Sequence, residues 1–102
     1  MARAVVWTRR ARSDLQLTVA YIAADSPAAA RSFGVAVIQA GASLATLSER
    51  GRVVPELGDE DVRELLLGRY RVIYEVFADR IVVLRLIHAS RDFETAWRGS
   101  DR

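Results

Sequence analysis

Asp25-Ser26-Pro27 interrupts the first half of this chain, and that break constrains the fold more than any other short string. Proline has no amide hydrogen and suits the first turn of a helix, and a serine just before it supplies a capping oxygen. On both sides of the break, apolar residues recur at helical spacing. Ahead of it, Leu15, Val19 and Ile22 form a core stripe on a helix predicted over 11–24. Beyond it, Phe33, Val37, Ala40, Leu44 and Leu47 follow a heptad-like stripe on a second helix, predicted from Pro27 to about Glu49. Two helices joined by so short a link pack as a hairpin. Leu17, Tyr21 and Ala24 repeat the helical spacing on nearly the opposite side of the first helix. That helix is therefore either sandwiched between two layers or presents an apolar patch to a partner. Gly34 and Gly41 each cost about 1 kcal/mol relative to alanine in a helix. Close backbone approach is one motive for them, and drift of composition is the other.

After Gly51 the pattern changes. A loop predicted over 52–61 contains Pro55 and Gly58, and three runs with strand character follow at 62–67, 70–77 and 80–88. Gly68 and Ala78-Asp79 separate them as turns. Val5-Val6-Trp7 reads as a short first strand, and 91–97 has room for one or two helical turns. The expected fold is α+β in the order β-α-α-β-β-β, a helical hairpin packed on one face of an antiparallel sheet. At 102 residues the chain is expected to form one domain, 1–102.

The composition narrows the chemistry. A 51% hydrophobic and 27% charged chain can bury a core and does not resemble a disordered one. It has no cysteine, which excludes disulfides, thiolate metal sites and a thiol nucleophile, and its one histidine, His88, cannot build a histidine cluster. No metal or cofactor is therefore expected. No apolar run approaches the ~18 residues of a membrane span, and Met1–Trp7 runs directly into a strand, so the expected location is cytoplasmic. The net charge of +2 does not demand a nucleic acid. All 15 basic residues are arginine, which fits a GC-rich coding bias. The chain therefore has no lysine to act as a base, and it presents bidentate guanidinium forks that stay charged.

On the strand at 70–77, Tyr70, Val72, Tyr74 and Val76 share one face, and Arg71, Ile73, Glu75 and Phe77 the other. Arg85 alternates with Val83 and Ile87, and His88 ends its strand three residues before Arg91. Arg63, Arg71, Arg85 and Arg91 are thus expected to converge on the sheet face away from the helices. Such a cluster suits an oxyanion, a phosphate backbone or an acidic segment of a partner. The alternative is a solvated lattice in which Arg71 pairs with Glu75. The phosphate-binding, dinucleotide-binding and zinc-protease motifs are all missing, and no serine sits in a nucleophile elbow. His88 keeps general acid–base chemistry open.

Several strings in order carry a resemblance that spans nearly the whole chain. They are Arg10-Ala11-x-x-Asp14-Leu15, Tyr21-Ile22, Ser26-Pro27-x-Ala29-Ala30, Gly51-Arg52-x-Val54-Pro55-Glu56, Val62-Arg63-Glu64-Leu65, Tyr70-Arg71-Val72-Ile73-Tyr74 and His88-x-x-Arg91-Asp92. Together they resemble the RelE/ParE superfamily, the toxins of bacterial type II toxin–antitoxin systems. The resemblance implies a growth-arresting toxin in a hetero-oligomer with a cognate antitoxin from the same operon. ParE-like members inhibit DNA gyrase, stabilise plasmids and have no known catalytic residue set. RelE-like members cut mRNA on the ribosome. A ribonuclease of this kind would draw on Glu56 or Glu64, Arg71 and His88, with Arg91 as a second cation. The lysine-free surface and the long helical hairpin favour the ParE-like branch. On that branch Arg63, Arg71, Arg85, Arg91 and Trp97 are the expected target-binding residues, and Leu17 and Tyr21 the antitoxin-binding ones. An inactive module that only binds an antitoxin is the third reading.

Overall fold

In the computed structural model, which describes residues 2–98, the elements run β1 (Ala4–Trp7), α1 (Arg9–Asp25), α2 (Pro27–Ser43), β2 (Arg52–Val53), β3 (Val62–Leu67), β4 (Tyr70–Val76), β5 (Arg80–His88) and α3 (Phe93–Arg98). Capping side chains set the start of both long helices. The Thr8 hydroxyl accepts from the Ala11 amide at 2.9 Å and donates to the Leu84 carbonyl at 3.1 Å, so one residue ends β1, starts α1 and ties that corner to β5. Ser26 caps α2 by accepting from the Ala29 amide at 3.1 Å, with Pro27 in the first turn as expected. The second helix is shorter than its heptad pattern suggests. Its last bonds tighten to three-residue closures at Leu44 and Ala45, and the Ser43 hydroxyl donates to the Ala40 carbonyl at 2.6 Å. Leu47, the last residue of the stripe, is consequently exposed.

The sheet order is β1-β5-β4-β3-β2. From β2 to β5 it is the expected antiparallel meander, and β1 adds a parallel edge beside β5, pairing Ala4 with Arg80 and Trp7 with Val83. The sheet is therefore mixed. The two-residue strand β2 lies in what the sequence suggests is a loop. Gly51 permits it, since a side chain there would collide with the Glu64 carbonyl. Tyr74 holds the same corner, accepting from the Gly51 amide at 2.9 Å and donating to the Ser48 carbonyl at 2.8 Å. Burial pushes its phenol pKa up, which keeps that donor in place.

Each sheet face carries a core. Val37, Ala40 and Leu44 of α2 pack with Val72, Tyr74 and Val83 on the helical side, and Val54, Val62, Ile73, Ile87, Phe93 and Ala96 pack on the other. Leu15 is only half-buried, and Ala11 is the fully buried residue of α1. Of the two helical glycines, Gly41 is the close approach: a Cβ there would meet the Trp7 ring at 3.2 Å, against an ordinary 3.7 Å to Val19 at Gly34.

One irregularity decides where Arg85 goes. Ile73 pairs with Arg85 and Tyr74 with Val83, so Leu84 is an extra residue in β5. The bulge reverses the side-chain alternation. Val83 faces the helices, while Ile87 joins the opposite core.

Candidate functional site

A groove of about 590 Å³ runs between the outer side of α1 and the end of β5. Asp14, Leu17 and Tyr21 line it from α1, and Tyr70, His88 and Arg91 line it from the sheet side. Leu17 is 68% exposed and Tyr21 78%, so the second apolar stripe of α1 is an uncovered patch and not a layer interior. His88 packs edge-on against Tyr70, with ring centroids 4.9 Å apart. The Ser90 amide donates to His88 Nδ1 at 3.0 Å, leaving Nε2 to carry the proton of the neutral ring.

The arginines do not converge into an open cationic face. Arg71 is 7% exposed, and carboxylates engage all three of its guanidinium nitrogens. Nε donates to Glu64 at 2.5 Å, while Nη1 and Nη2 grip Glu56 at 3.0 and 2.7 Å. Its guanidinium also lies 4.7 Å from the centre of the Phe93 ring. Fully buried Glu64 takes a second charge-assisted bond from Arg52 at 2.7 Å. The expected Arg71–Glu75 lattice is replaced by this buried network. Arg85, 4% exposed, donates through Nε and Nη2 to Asp14 and through Nη1 to the Ala96 carbonyl at 2.7 Å. The Asp14 carboxylate also accepts from the Leu86 amide at 3.0 Å, so the pair joins α1, β5 and α3. Arg63 pairs in register with Tyr74, which puts it on the helical face, where it donates to the Gly51 carbonyl at 3.1 Å. Of the four arginines, only Arg91 is exposed.

Arg71 holds the Glu56 carboxyl below its ordinary range, chiefly through the hydrogen bond between them. A carboxylate whose pKa is depressed on folding stabilises the fold fully above its unfolded value, roughly 4.3, and loses that contribution as pH falls through the folded value. Glu56→Gln should therefore lower stability at neutral pH and converge on the parent in acid melts, which flattens part of the decline below that range. An unchanged acid profile would contradict the latch between Glu56 and Arg71.

Among the described residues no group of histidine and carboxylate side chains could hold a metal, and no helix is long and apolar enough to cross a membrane.

The sequence profile described as "ParE toxin of type II toxin-antitoxin system, parDE" matches residues 5–93. The chain belongs to this toxin family. Among solved structures, the toxin is similar to a chain of the chromosomal ParDE TA system from P. aeruginosa. That match has a TM-score of 0.71 and 22% identity, covering 87% of this chain and 98% of the other. It is also similar to a chain of the toxin–antitoxin complex RelBE2 from Mycobacterium tuberculosis, with a TM-score of 0.63 and 22% identity, covering 88% and 95%. At that identity the two structures establish a shared fold. A comparison with curated protein sequences finds no match.

Apart from Arg63 on the helical face, the residues singled out in this toxin gather around two places. Leu17, Tyr21, His88 and Arg91 share the α1 groove, and Glu56 and Trp97 line a separate recess beside α3 with Phe93 and Asp92. Trp97 is half-buried and stacks at 5.4 Å on Phe93, the ring that Arg71 also covers. Asp14, which closes the groove floor with Arg85, escapes a reading of site chemistry because its evident partner in sequence is Arg10, one turn away, and that contact is only 4.0 Å.

Proposed function

We propose that this toxin arrests growth by binding DNA gyrase rather than by cutting RNA, and that a cognate antitoxin restrains it across the α1 groove. The observation that carries the first half is the capture of Arg71 by Glu56 and Glu64. A 2′-hydroxyl attack needs a base, a cation on the phosphorane and an acid at the leaving group, all within reach of one phosphate. Here the central arginine is neutralised, and the glutamate nearest the surface is held ionised and is a correspondingly weak base. His88 and Arg91 line a different cavity from Glu56. Lysine, which would supply replacement cations, does not occur in the chain. A binding toxin needs none of these groups. Exposed Arg91 together with the Phe93–Trp97 stack on α3 offers it an anchor of the residue types that dominate interfaces.

The second half rests on the exposed Leu17 and Tyr21 beside a polar groove floor, and on the description of both similar structures as toxin–antitoxin systems. An antitoxin segment that folds on binding can cover such a surface. Inducing the chain in cells, with and without the product of the adjacent gene, tests the whole reading. The expected result is growth arrest with DNA-damage signalling first, relieved by the neighbour. Translation arrest appearing first would contradict the gyrase target, and no arrest would leave only the antitoxin-binding module.

A further inference from the structure

We infer that the segment covering the α1 groove presents a carboxylate, from an aspartate or glutamate of the antitoxin, to a pair of donors made by Arg91 and His88. The inference deepens the antitoxin half of the proposed function and rests on it. It starts from hydrogen-bonding capacity that the fold leaves unused. His88 Nδ1 accepts from the Ser90 amide at 3.0 Å, and the Ser90 hydroxyl lies 2.6 Å from the same nitrogen. A backbone amide can only donate, so Nδ1 carries no proton and the neutral ring has its N–H at Nε2. No described residue accepts from that N–H. The exposed guanidinium of Arg91 makes no ion pair or side-chain hydrogen bond with any described residue. Both side chains line the groove.

The groove offers these donors no acceptor of its own. Its one carboxylate, Asp14, is engaged at both oxygens: Oδ2 accepts from Arg85 Nε at 2.6 Å and from the Leu86 amide at 3.0 Å, and Oδ1 from Arg85 Nη2 at 3.3 Å. The Asp14–Arg85 pair therefore adds no net charge. Asp92, next to Arg91 in sequence, accepts from the Thr95 amide and hydroxyl and lines the other recess. The hydroxyls of Thr18, Tyr21 and Tyr70 can act as donor or acceptor. What remains is one permanent cation and one N–H that can only donate. A cationic segment would leave both unmet, whereas the two oxygens of a carboxylate can meet them together. Leu17 and Tyr21, uncovered on the α1 wall, call for apolar side chains beside that acid. The complement is an acidic, amphipathic protein segment. A nucleic acid fits less well, because its phosphates repeat along the strand and the groove holds one unpaired cation.

Titration calorimetry of the purified chain against the purified product of the adjacent gene reads the contact. From the usual strength of a charge-assisted bond, Arg91→Ala should bind at least tenfold more weakly. Arg91→Glu, which sets like charges together, should bind at least 100-fold more weakly, and Arg91→Lys should stay within about fivefold of the parent. His88→Phe keeps a ring against Tyr70 without the N–H, and should weaken binding about threefold or more. Circular dichroism melts of the Arg91 variants should match the parent, since that side chain pairs with nothing in the free chain. Among single Asp or Glu to Arg changes in the antitoxin, one should restore binding to Arg91→Glu. An affinity indifferent to Arg91→Glu, or a loss that no such reversal restores, would overturn the inference and leave the antitoxin reading from Leu17 and Tyr21 standing. A parent chain that does not bind the neighbouring product would remove that reading and the inference with it. Binding of a labelled single-stranded oligonucleotide, or self-association, that is lost in Arg91→Glu while antitoxin affinity is unchanged would assign the donors to a phosphate or to a second copy.

Discussion

Arg71→Ala should lower the stability of the fold by about 3–5 kcal/mol, the usual cost of stranding a buried charge by removing its partner. Glu64 has no exposed side-chain surface, and without Arg71 its remaining cationic partner is Arg52, whose side chain is 58% exposed. Glu56 would lose both bonds that hold its loop against β4. Phe93 would lose the guanidinium over its ring, loosening the seat of α3. For a domain of about 100 residues each kcal/mol moves the midpoint by roughly 4–8 °C, so a fall of more than about 12 °C should appear in thermal melts followed by circular dichroism. Replacing Arg71 and Glu64 together by methionine should cost less than the two single changes added, since neither charge is then stranded. A native melt for Arg71→Ala would mean that the arginine is held for chemistry and not for structure.

The second large effect concerns the groove. Leu17→Arg combined with Tyr21→Arg should weaken antitoxin binding by at least 100-fold. Two central apolar anchors at an interface are worth about 2 kcal/mol or more each, and every 1.4 kcal/mol is a factor of ten. Both side chains are exposed in the free toxin, so the melt should be unchanged. Titration calorimetry with purified antitoxin reads the affinity, and in cells the variant should stay toxic when the antitoxin is co-expressed. Full neutralisation of the double variant would place the antitoxin elsewhere.

What could be read from the sequence is local. Ser26 and Pro27 act through bonds within one turn, so the helical hairpin was legible. Strand alternation put Arg71 and Tyr74 on opposite faces, as they are. The second apolar stripe at Leu17 and Tyr21 was legible too, but its spacing fits a layer interior as well as an exposed patch, and only the fold shows both side chains exposed. Most of the expectations that failed depend on contacts distant in sequence. Asp14 meets Arg85 across 71 positions, and no local pattern announces that pairing. Arg63 lies on the helical face, opposite to expectation, because the register that pairs it with Tyr74 cannot be derived from alternation within one strand. The extra residue at Leu84 reverses the parity of β5 halfway along, which separates Val83 from Arg85. α2 ends at Ser43, where its last backbone bonds tighten to three-residue closures, although the hydrophobic period continues to Leu47. In each case residue type identified a capable group, and only the assembled fold showed that its capacity was already used.

On the proposed function, this toxin binds gyrase and performs no RNA chemistry. The most direct test adds purified chain to gyrase on relaxed plasmid with ATP and, in parallel, to a translating ribosome extract. The expected result is dose-dependent loss of supercoiling, intact mRNA, and graded losses of potency when Arg91 or Trp97 is replaced by alanine. Codon-specific mRNA cuts with supercoiling untouched, abolished by a single change at His88 or Arg91, would contradict it.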